Sequence, residues 1–348
     1  PDLLSVYGIA REVAAIFGGE LAPVPGTDSR TRSVGDEPVD VRVEDLERCP
    51  RYIGRVFRDV RIAPSPPWLK ARLSAAGMRP ISNVVDATNY VMHALGSPLH
   101  AFDRTRLAEG RIVVRRAKPN EEIRTLDGNV RVLTPDDLVI ADAERPVAIA
   151  GVMGGEDSEV TEETTEVLLE AANFEPVGIQ KTSERLGLRS EASNRWEKGM
   201  DPYVAEDAAR LCGQLFVELA GARWVGNTDV HGELPERRVV RLRPARTSAL
   251  LGLDVPEEEQ RRLLESLQFE VADDWQVVVP TWRGRDVTRE IDLIEEVGRM
   301  RLDEVPFTLP PRRELFGRLA PEQRHRRVVE DVLVGLGLYE VYTPSLVA

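Results

Sequence analysis

Short runs in which apolar residues alternate with polar ones most constrain what this chain can fold into. Three such runs occupy residues 111–117, 129–142 and 146–155, and turn-forming residues bound each of them. A period of two is typical of β-strands, because successive side chains point to opposite faces of a sheet. These runs therefore predict a sheet in the middle of the chain.

Predicted helices lie on both sides of these runs. Residues 68–77 and 83–96 are predicted helices, and each block ends in a glycine. Helical spacing of apolar residues also predicts an N-terminal helix from Leu3 to Phe17, and a longer helix is expected over 204–220. Helices and short strands in one chain predict a mixed α+β fold.

The chain length predicts more than one domain. A chain of 348 residues is too long for one small core and suggests two or three domains. We expect four segments, namely a helical connector, a mixed α/β domain, a later helix-rich domain and the start of a further module, at 1–45, 46–230, 237–308 and 312–348. The last segment has one predicted helix and one predicted strand, which cannot bury a core alone. We therefore expect the sequence to be cut at its C-terminus.

Composition narrows the class of protein. Apolar residues make up 42% and charged residues 30% of the chain, as in soluble globular proteins. No apolar run is long enough for a membrane helix, and the N-terminus does not have the pattern of a signal peptide. Cys49 and Cys212 are too few for a disulfide framework or a zinc site. We therefore expect a reducing, cytoplasmic setting and no membrane partner.

The charge balance limits how the chain could bind nucleic acid. A net charge of −13 argues against a protein that binds nucleic acid over most of its surface. A local arginine patch stays possible, because guanidinium groups stack on bases and pair with phosphates. A helix-turn-helix is predicted near residues 250–269. It is a poor candidate for binding in a nucleic-acid groove, because it carries four glutamates, Glu257, Glu258, Glu259 and Glu265.

The predicted helix at 83–96 carries polar side chains opposite its apolar stripe. Asp86, Asn89 and His93 share that face on a helical wheel, so they either meet solvent or contribute to a site. His100 follows a proline-anchored turn among apolar residues, and is either a satisfied structural histidine or a catalytic one. We do not expect a metal site from the two histidines, because a helix stop separates them.

Glycines and one carboxylate form a second set of candidates. Gly151, Gly154 and Gly155 follow an apolar strand and let the backbone approach something closely, either in a tight turn or as a ligand wall. They match neither GxGxxG nor GxxxxGK, so they predict no nucleotide site. Glu170 lies within an apolar run and, if it is buried, must be hydrogen-bonded or bind a polar ligand group.

A carboxylate cluster forms the third set. Three of its members stand at i, i+3 and i+4 of a predicted helix and the fourth lies just upstream; the set is Asp292, Glu295, Glu296 and Asp286. Carboxylate oxygens suit Mg²⁺. Acidic residues in a first helical turn also complement the helix dipole, so both interpretations are open.

Motifs spread over nearly the whole chain, in order and with matching spacing, resemble the β subunit of bacterial phenylalanine–tRNA ligase. They are PDLLSVYGIAREVA, GMRPISNVVDATNYVMHALGSPLHAFD, AIAGVMGGEDSEV, VLLEAANFEP, RLGLRSEASNRWEKGMDP, VVVPTWRGRDVTREIDLIEEVGR and GLGLYEVYTPS. The resemblance implies an internal part of that subunit, lacking its N-terminal OB-fold and most of its catalytic-like domain. It implies an editing domain at 46–230, a winged-helix-like domain at 237–308, and the start of a class II synthetase-like module at 312–348.

The resemblance implies a pocket that hydrolyses tyrosine wrongly esterified to phenylalanine tRNA. Its expected residues are Thr88, Asn89, His100, Gly154, Glu170, Ser190 and Ala192. In this interpretation His100 and Asn89 position water at the ester, Gly154 leaves room for the ring, and the Glu170 carboxylate accepts the phenol's hydrogen bond. A second, hydrolytic site is useful because an apolar pocket rejects an added hydroxyl only weakly. The family often has Thr where this chain has Ser190, which predicts a looser pocket.

The resemblance also implies partners and a metal. Asp286, Asp292, Glu295 and Glu296 match a Mg²⁺ site shared with the α subunit, which raises the metal interpretation above the dipole one. Residues 300–303 depart from the family's usual YGYD stretch, so the α-subunit contact is less secure there.

The whole enzyme implied by the resemblance contains two α and two β subunits, binds tRNA(Phe) and uses ATP. Activation belongs to the α subunit, so this chain alone is not expected to aminoacylate or bind ATP. Two alternatives stay open: a non-catalytic scaffold that positions tRNA and the α subunit, and a nucleic-acid-binding module.

Overall fold

The computed structural model describes residues 1–309 and 317–344, which divide into two compact units, residues 1–305 and the described part of 306–348. The described helices are α1 Val6–Phe17, α2 Pro67–Ala75, α3 Asn83–Leu95, α4 Pro176–Leu186, α5 Glu191–Trp196, α6 Val204–Ala220, α7 Pro244–Leu251, α8 Glu257–Ser266, α9 Glu290–Arg299 and α10 Pro321–Gly335. The described strands are β1 Val41–Val43, β2 Arg51–Arg58, β3 Leu99–Asp103, β4 Ile112–Arg116, β5 Glu122–Arg124, β6 Val130–Val132, β7 Leu138–Ala141, β8 Pro146–Ile149, β9 Met153–Gly154, β10 Val167–Asn173, β11 Arg223–His231, β12 Val239–Arg241, β13 Glu270–Val271 and β14 Gln276–Val278. The predicted α+β fold class is confirmed.

A four-stranded antiparallel sheet in the order β11-β2-β10-β3 lies at the centre of the first unit. Its central strands, β2 and β10, are buried on both faces, so they have almost no polar positions facing water. One face packs on α3 and α6 through residues such as Phe57, Leu169 and Phe216. The opposite face packs toward a second sheet, through residues such as Phe102 and Leu168.

The second sheet has five strands in the order β1-β4-β7-β8-β9. Ile112, Val139 and Ile149 belong to the same buried cluster as the inward face of the central sheet. The turn between β8 and β9 carries Gly151 with a φ of +66°, a conformation that favours glycine. The sheet-to-sheet core therefore ends at a glycine turn, and the candidate site lies there.

Local signals fix the ends of α3, which reaches the same place. The Ser82 side chain accepts a hydrogen bond from the Val85 N–H at the N-cap, and Gly96 ends the helix with a φ of +83°. Inside the helix, Asp86 is fully buried and accepts hydrogen bonds from the Ser65 hydroxyl and the Ile81 N–H. The polar face of α3 is therefore not a solvated surface at this residue.

Residues 239–301 form a smaller α+β assembly within the first unit. The strands β12, β14 and β13 pair in that order, and α7, α8 and α9 pack beside them. Leu264, Phe269, Val277 and Leu293 are buried in their shared core. The helix-turn-helix predicted here is confirmed as α7 and α8.

In the second unit α10 forms as predicted, but no strand is present among residues 336–344. The strand predicted for this stretch is therefore wrong. A strand needs a partner to pair with, and none of the described strands pairs with residues 336–344. Residues 312–316 and 345–348 of the predicted last segment lie outside the described residues. None of the described helices is long and apolar enough to cross a membrane.

Candidate active site

All seven residues predicted for the pocket line one cavity of about 310 Å³. The cavity lies between α3, β3, the β8–β9 turn, β10 and the start of α5. The seven residues are Thr88, Asn89, His100, Gly154, Glu170, Ser190 and Ala192. They come from positions as far as 104 residues apart in sequence (192 − 88). Only the folded chain brings them together.

His100 and Glu170 are direct cross-strand partners. In the antiparallel pairing of β3 with β10, Glu170 lies opposite His100, so both side chains leave the same face of the sheet. On the other side of β10, the residue opposite Glu170 is Gly54 of β2, which has no side chain to fill that face. The register of three strands thus places an imidazole and a carboxyl group side by side at the pocket.

The imidazole of His100 is held among apolar groups. Its ring lies edge-on to Phe102, with 4.4 Å between ring centroids. The Nε2 atom is inaccessible to solvent and has no hydrogen-bond partner within the described residues. Burial lowers the pKa of His100 to about 4, so the ring is neutral at physiological pH. The imidazole nevertheless lines the cavity, so a ligand or a water molecule would meet ring atoms other than the enclosed Nε2.

Glu170 is a buried carboxyl group with one protein partner. The Tyr52 hydroxyl donates a hydrogen bond to its Oε2 at 3.0 Å. Burial raises the pKa of Glu170 to about 8, although the bond from Tyr52 acts to lower it. The group is therefore mainly protonated at neutral pH. The apolar surroundings favour the protonated form, because a buried charge without an opposite charge is costly. The predicted role of Glu170 as the acceptor of a phenol hydrogen bond stays a prediction.

Gly154 allows the β8–β9 turn to approach His100. A β-carbon at position 154 would lie 2.6 Å from Cε1 and 2.9 Å from Nε2 of the imidazole. Gly151, in the same turn, would bring a β-carbon within 2.9 Å of Trp196. Gly155 would place one 2.6 Å from the Val147 carbonyl oxygen. The structure shows the tight turn that was one interpretation of these glycines. Gly151 and Gly154 also line the cavity, and their role as a ligand wall stays a prediction.

Two of the pocket hydroxyls have structural hydrogen bonds. The Ser190 hydroxyl donates to the Val152 carbonyl at 2.9 Å and accepts from the Ser193 N–H at 3.0 Å, which caps α5. It therefore ties α5 to the β8–β9 turn. The Thr88 hydroxyl donates to the Val85 carbonyl one turn back in α3. Asn89 and Ala192 are partly exposed at the pocket wall.

Sequence reasoning missed several residues of the site. Met78, Leu126 and Trp196 also line the pocket, and they supply much of its apolar wall. Tyr52 lies behind Glu170 and is fully buried. No local signal distinguishes Tyr52 from other residues of a buried strand, because its role follows from the pairing of β2 with β10.

Three of the four carboxylates predicted to bind Mg²⁺ have other partners, namely Asp286, Asp292 and Glu296. Glu296 is paired with Arg283 at 2.6 Å and with Arg299 at 2.6 Å, while Asp286 also contacts Arg283 at 2.7 Å. Glu295 is exposed on another side of α9. Among the described residues no three His, Cys, Asp or Glu side chains converge as metal ligands.

Asp292 acts as a helix-capping residue. It accepts hydrogen bonds from the N–H groups of Thr288 and Arg289 at 2.9 and 2.8 Å. Burial acts to raise its pKa, but these bonds and the Arg289 side chain lower it to about 2. The carboxylate set as it stands does not fit a Mg²⁺ shell, and the site shared with an α subunit stays a prediction.

Two family models match the chain. Residues 48–221 match the B3/4 domain, and residues 240–301 match the tRNA synthetase B5 domain. The candidate pocket lies within the first match and the carboxylate cluster within the second. The matched regions thus define a protein of the aminoacyl-tRNA synthetase class.

Named relatives make the class specific. The phenylalanine–tRNA ligase β subunit of Moorella thermoacetica is 47% identical over 99% of this chain and 44% of its own length. The β subunit of Geobacter metallireducens is 44% identical over 100% of this chain, and that of Gloeobacter violaceus is 46% identical over 99%. The chain belongs to the phenylalanine–tRNA ligase β-subunit family. It spans about 44% of the length of these relatives.

One solved structure is also similar. It is an N-terminal fragment of the phenylalanyl-tRNA synthetase β subunit from Pyrococcus horikoshii, with a TM-score of 0.42 and 15% identity, covering 86% of this chain and 83% of that chain. At that level the likeness carries no argument about fold or function.

Proposed function

We propose that the pocket hydrolyses the ester of tRNA(Phe) that carries tyrosine in error. The observation that supports this most is the convergence of Asn89, His100, Gly154 and Glu170 on one cavity. Its volume is at the lower end of small-ligand sites, roughly 300 to 1,000 Å³, which suits one aminoacyl group rather than a large cofactor. The proposal therefore concerns an editing step within a larger ligase.

Apolar walls and one polar group give this pocket its selectivity. Leu126, Ile149 and Trp196 would pack against an aromatic ring. Glu170 would form a hydrogen bond with the phenol hydroxyl, accepting or donating, since a protonated carboxyl group does both. Phenylalanine lacks that hydroxyl and would leave a buried polar group without its partner. Such a mismatch costs roughly 1 to 3 kcal/mol, which favours tyrosine by about 5- to 150-fold.

The catalytic role we assign to His100 is to hold water. Its neutral ring lines the cavity, and because Nε2 is closed to solvent, the hydrogen bond to a water molecule would be formed by Nδ1. With a pKa of about 4 it is a weak base at physiological pH, so orientation of water accounts better for its role than proton removal. Asn89, at the wall of the pocket, would supply a second polar contact. Water adds to the ester carbonyl, the carbon–oxygen bond to the ribose breaks, and the ribose oxygen takes up a proton.

The rest of the assembly is part of the same proposal. The chain would act as part of a β subunit in a cytoplasmic ligase of two α and two β subunits, with tRNA(Phe) as substrate. ATP and Mg²⁺ would serve the whole enzyme, and this chain alone would not attach phenylalanine to tRNA. No step is assigned to a metal here, because Glu296 and Asp292 already have protein partners.

A small substrate tests the proposal on this chain by itself. Tyrosine and phenylalanine esters of adenosine carry the reacting bond and the neighbouring ribose hydroxyl. We expect the chain to release tyrosine faster, His100→Ala to lose most of the rate, and Glu170→Ala to lose the preference. His231→Ala, at an exposed histidine, is the matched control. Equal rates for the chain and His100→Ala would contradict the proposal.

A further inference from the structure

A buried tyrosine stands directly behind the carboxyl group that faces the pocket. Tyr52 and Glu170 both lie on the inward face of the central sheet, since Tyr52 is two residues from Gly54, the partner of Glu170. The Tyr52 hydroxyl donates to Oε2 of Glu170 at 3.0 Å. Tyr52 has no exposed surface and does not line the cavity, whereas Glu170 does. A ligand would therefore contact Glu170 and not Tyr52.

We propose that Tyr52 is the positioning residue for hydroxyl recognition: it holds one carboxyl oxygen of Glu170, so that the other oxygen is presented to the ligand. This inference rests on the proposed function, because it names the residue that sets the selectivity of that site. A free glutamate side chain has several rotamers, and one fixed oxygen restricts which of them bring the second oxygen to the pocket.

The protonation of the pair supports a fixed direction for this bond. Burial, followed by the neighbouring Glu170, raises the pKa of Tyr52 well above its usual value, so the phenol stays protonated and can donate. Because Oε2 accepts the hydrogen bond from the phenol, the carboxyl proton present at neutral pH would reside on the other oxygen. That oxygen would then donate to a ligand hydroxyl. A phenylalanine side chain has no atom to accept it.

No other titratable side chain competes for this carboxyl group in the described residues. Its neighbours are the Tyr52 phenol, the neutral His100 on the opposing strand and the buried thiol of Cys49, whose pKa is raised by burial and by Glu170. The Cys49 thiol instead donates a hydrogen bond to the Arg51 carbonyl oxygen. Tyr52 is therefore the group whose removal changes Glu170 most directly.

The test uses Tyr52→Phe, which keeps the ring and removes only the hydroxyl. Tyr7→Phe is a matched control, since the Tyr7 hydroxyl donates to the Ala22 carbonyl at 2.7 Å and lies outside this pocket. Binding of tyrosinol and phenylalaninol, which cannot be hydrolysed, is measured by calorimetry on the full chain. The preference for tyrosinol should fall about three- to tenfold in Tyr52→Phe, the ratio expected for one hydrogen bond, and stay unchanged in Tyr7→Phe.

A second readout separates positioning from a structural role. The carboxyl resonance of Glu170 is followed by ¹³C NMR, with Glu170→Gln used to assign it. Loss of the Tyr52 donor should raise the pKa of Glu170, because that bond lowers it. If Tyr52→Phe does not fold, 3-fluorotyrosine incorporated into the native chain strengthens the phenol donor and should lower the pKa of Glu170.

Failure of the Tyr52 inference and failure of the editing proposal would give different results in these experiments. An unchanged tyrosinol preference in Tyr52→Phe overturns the inference, whether or not Glu170 titrates differently. An unchanged Glu170 titration in both the phenylalanine variant and the fluorinated chain also overturns it. Adenosine esters that are not hydrolysed, together with a tyrosinol preference that depends on Tyr52, would reject editing and support the positioning role.

Discussion

Gly154 and His100 face each other across the pocket so closely that a β-carbon on residue 154 would lie 2.6 Å from Cε1 of the imidazole. The glycine is thus required by the position of the histidine and not by its own backbone, since its φ is not positive. The β8–β9 turn and β3 can form one wall of a cavity only while position 154 has no side chain.

Replacing Gly154 with alanine should displace the His100 ring. We expect Gly154→Ala to lower hydrolysis of the tyrosine ester at least tenfold and to reduce the free energy of unfolding by about 1 to 3 kcal/mol, the usual cost of overpacking. Gly232→Ala is the control, because its β-carbon would have only an ordinary contact of 3.6 Å. Ester hydrolysis and urea unfolding measure the two effects. Normal activity in Gly154→Ala would show that the ring position is unimportant.

Acidification should destabilise the fold through His100. Its pKa is about 4 when folded and about 6.5 when unfolded, so between these values the unfolded chain binds the proton that the folded chain does not. The free energy of unfolding is therefore unaffected by this group above pH 6.5. It falls by at most about 3 kcal/mol as the pH drops toward 4. His100→Gln should lose less stability than the native chain over this range, as measured by urea midpoints. Parallel losses would refute the assigned pKa.

Glu170 should change the stability of the fold with pH in the opposite direction to His100. Its pKa is about 8 when folded and about 4.5 when unfolded, so the folded chain retains a proton that the unfolded chain releases. The native chain therefore loses stability as the pH rises from 4.5 to 8, by at most about 5 kcal/mol. Glu170→Gln keeps an acceptor for Tyr52 and should remove this slope. A slope that persists in the variant would assign it to other groups.

The hydroxyl of Ser190 should matter for stability, whereas the methyl group that a threonine would add at this position should not. Ser190→Ala removes the cap of α5 and the bond to the Val152 carbonyl, which should cost about 1 to 2 kcal/mol in the free energy of unfolding. Ser190→Thr retains both bonds and should stay within about 0.5 kcal/mol of the native chain. Thermal and urea unfolding test both. Equal stability of all three proteins would contradict the capping role.

The carboxylates of α9 should behave as ion-pair partners in this chain. Glu296→Gln leaves Arg283 and Arg299 without their shared buried partner, and should cost about 3 kcal/mol in the free energy of unfolding. Glu295→Gln, at an exposed position, should cost almost nothing. Added Mg²⁺ should not raise the melting temperature of the isolated chain. A rise that is lost in Glu296→Gln would instead support a preformed metal site.

Local signals made much of the fold predictable. Gly96 ends α3 in the left-handed conformation, at the glycine where the sequence predicted the helix to end. The helix predicted over residues 204–220 forms with those bounds, because its apolar face and terminal glycine agree. The predicted strands between residues 111 and 155 also form. These features depend on a few neighbouring residues, so pattern reasoning can reach them.

Features that depend on distant residues could not be predicted in this way. The burial of Asp86 follows from Ser65 on another segment, and the bond from Tyr52 to Glu170 follows from the register of β2 with β10. The protonation of Glu170 follows from the apolar groups around it. The pocket residues themselves were assembled by resemblance to a family, since no spacing in the sequence joins His100 to Glu170.

The activity proposed for this pocket is the removal of tyrosine from tRNA(Phe). It is tested most directly by the rate of tyrosine release from tyrosyl-tRNA(Phe), using a complete two-subunit ligase whose β subunit contains this chain. We expect fast release by the native enzyme, slow release with His100→Ala, and loss of the preference over phenylalanyl-tRNA(Phe) with Glu170→Ala, while phenylalanine attachment stays normal in all three. Fast and tyrosine-selective release by both variants would contradict it.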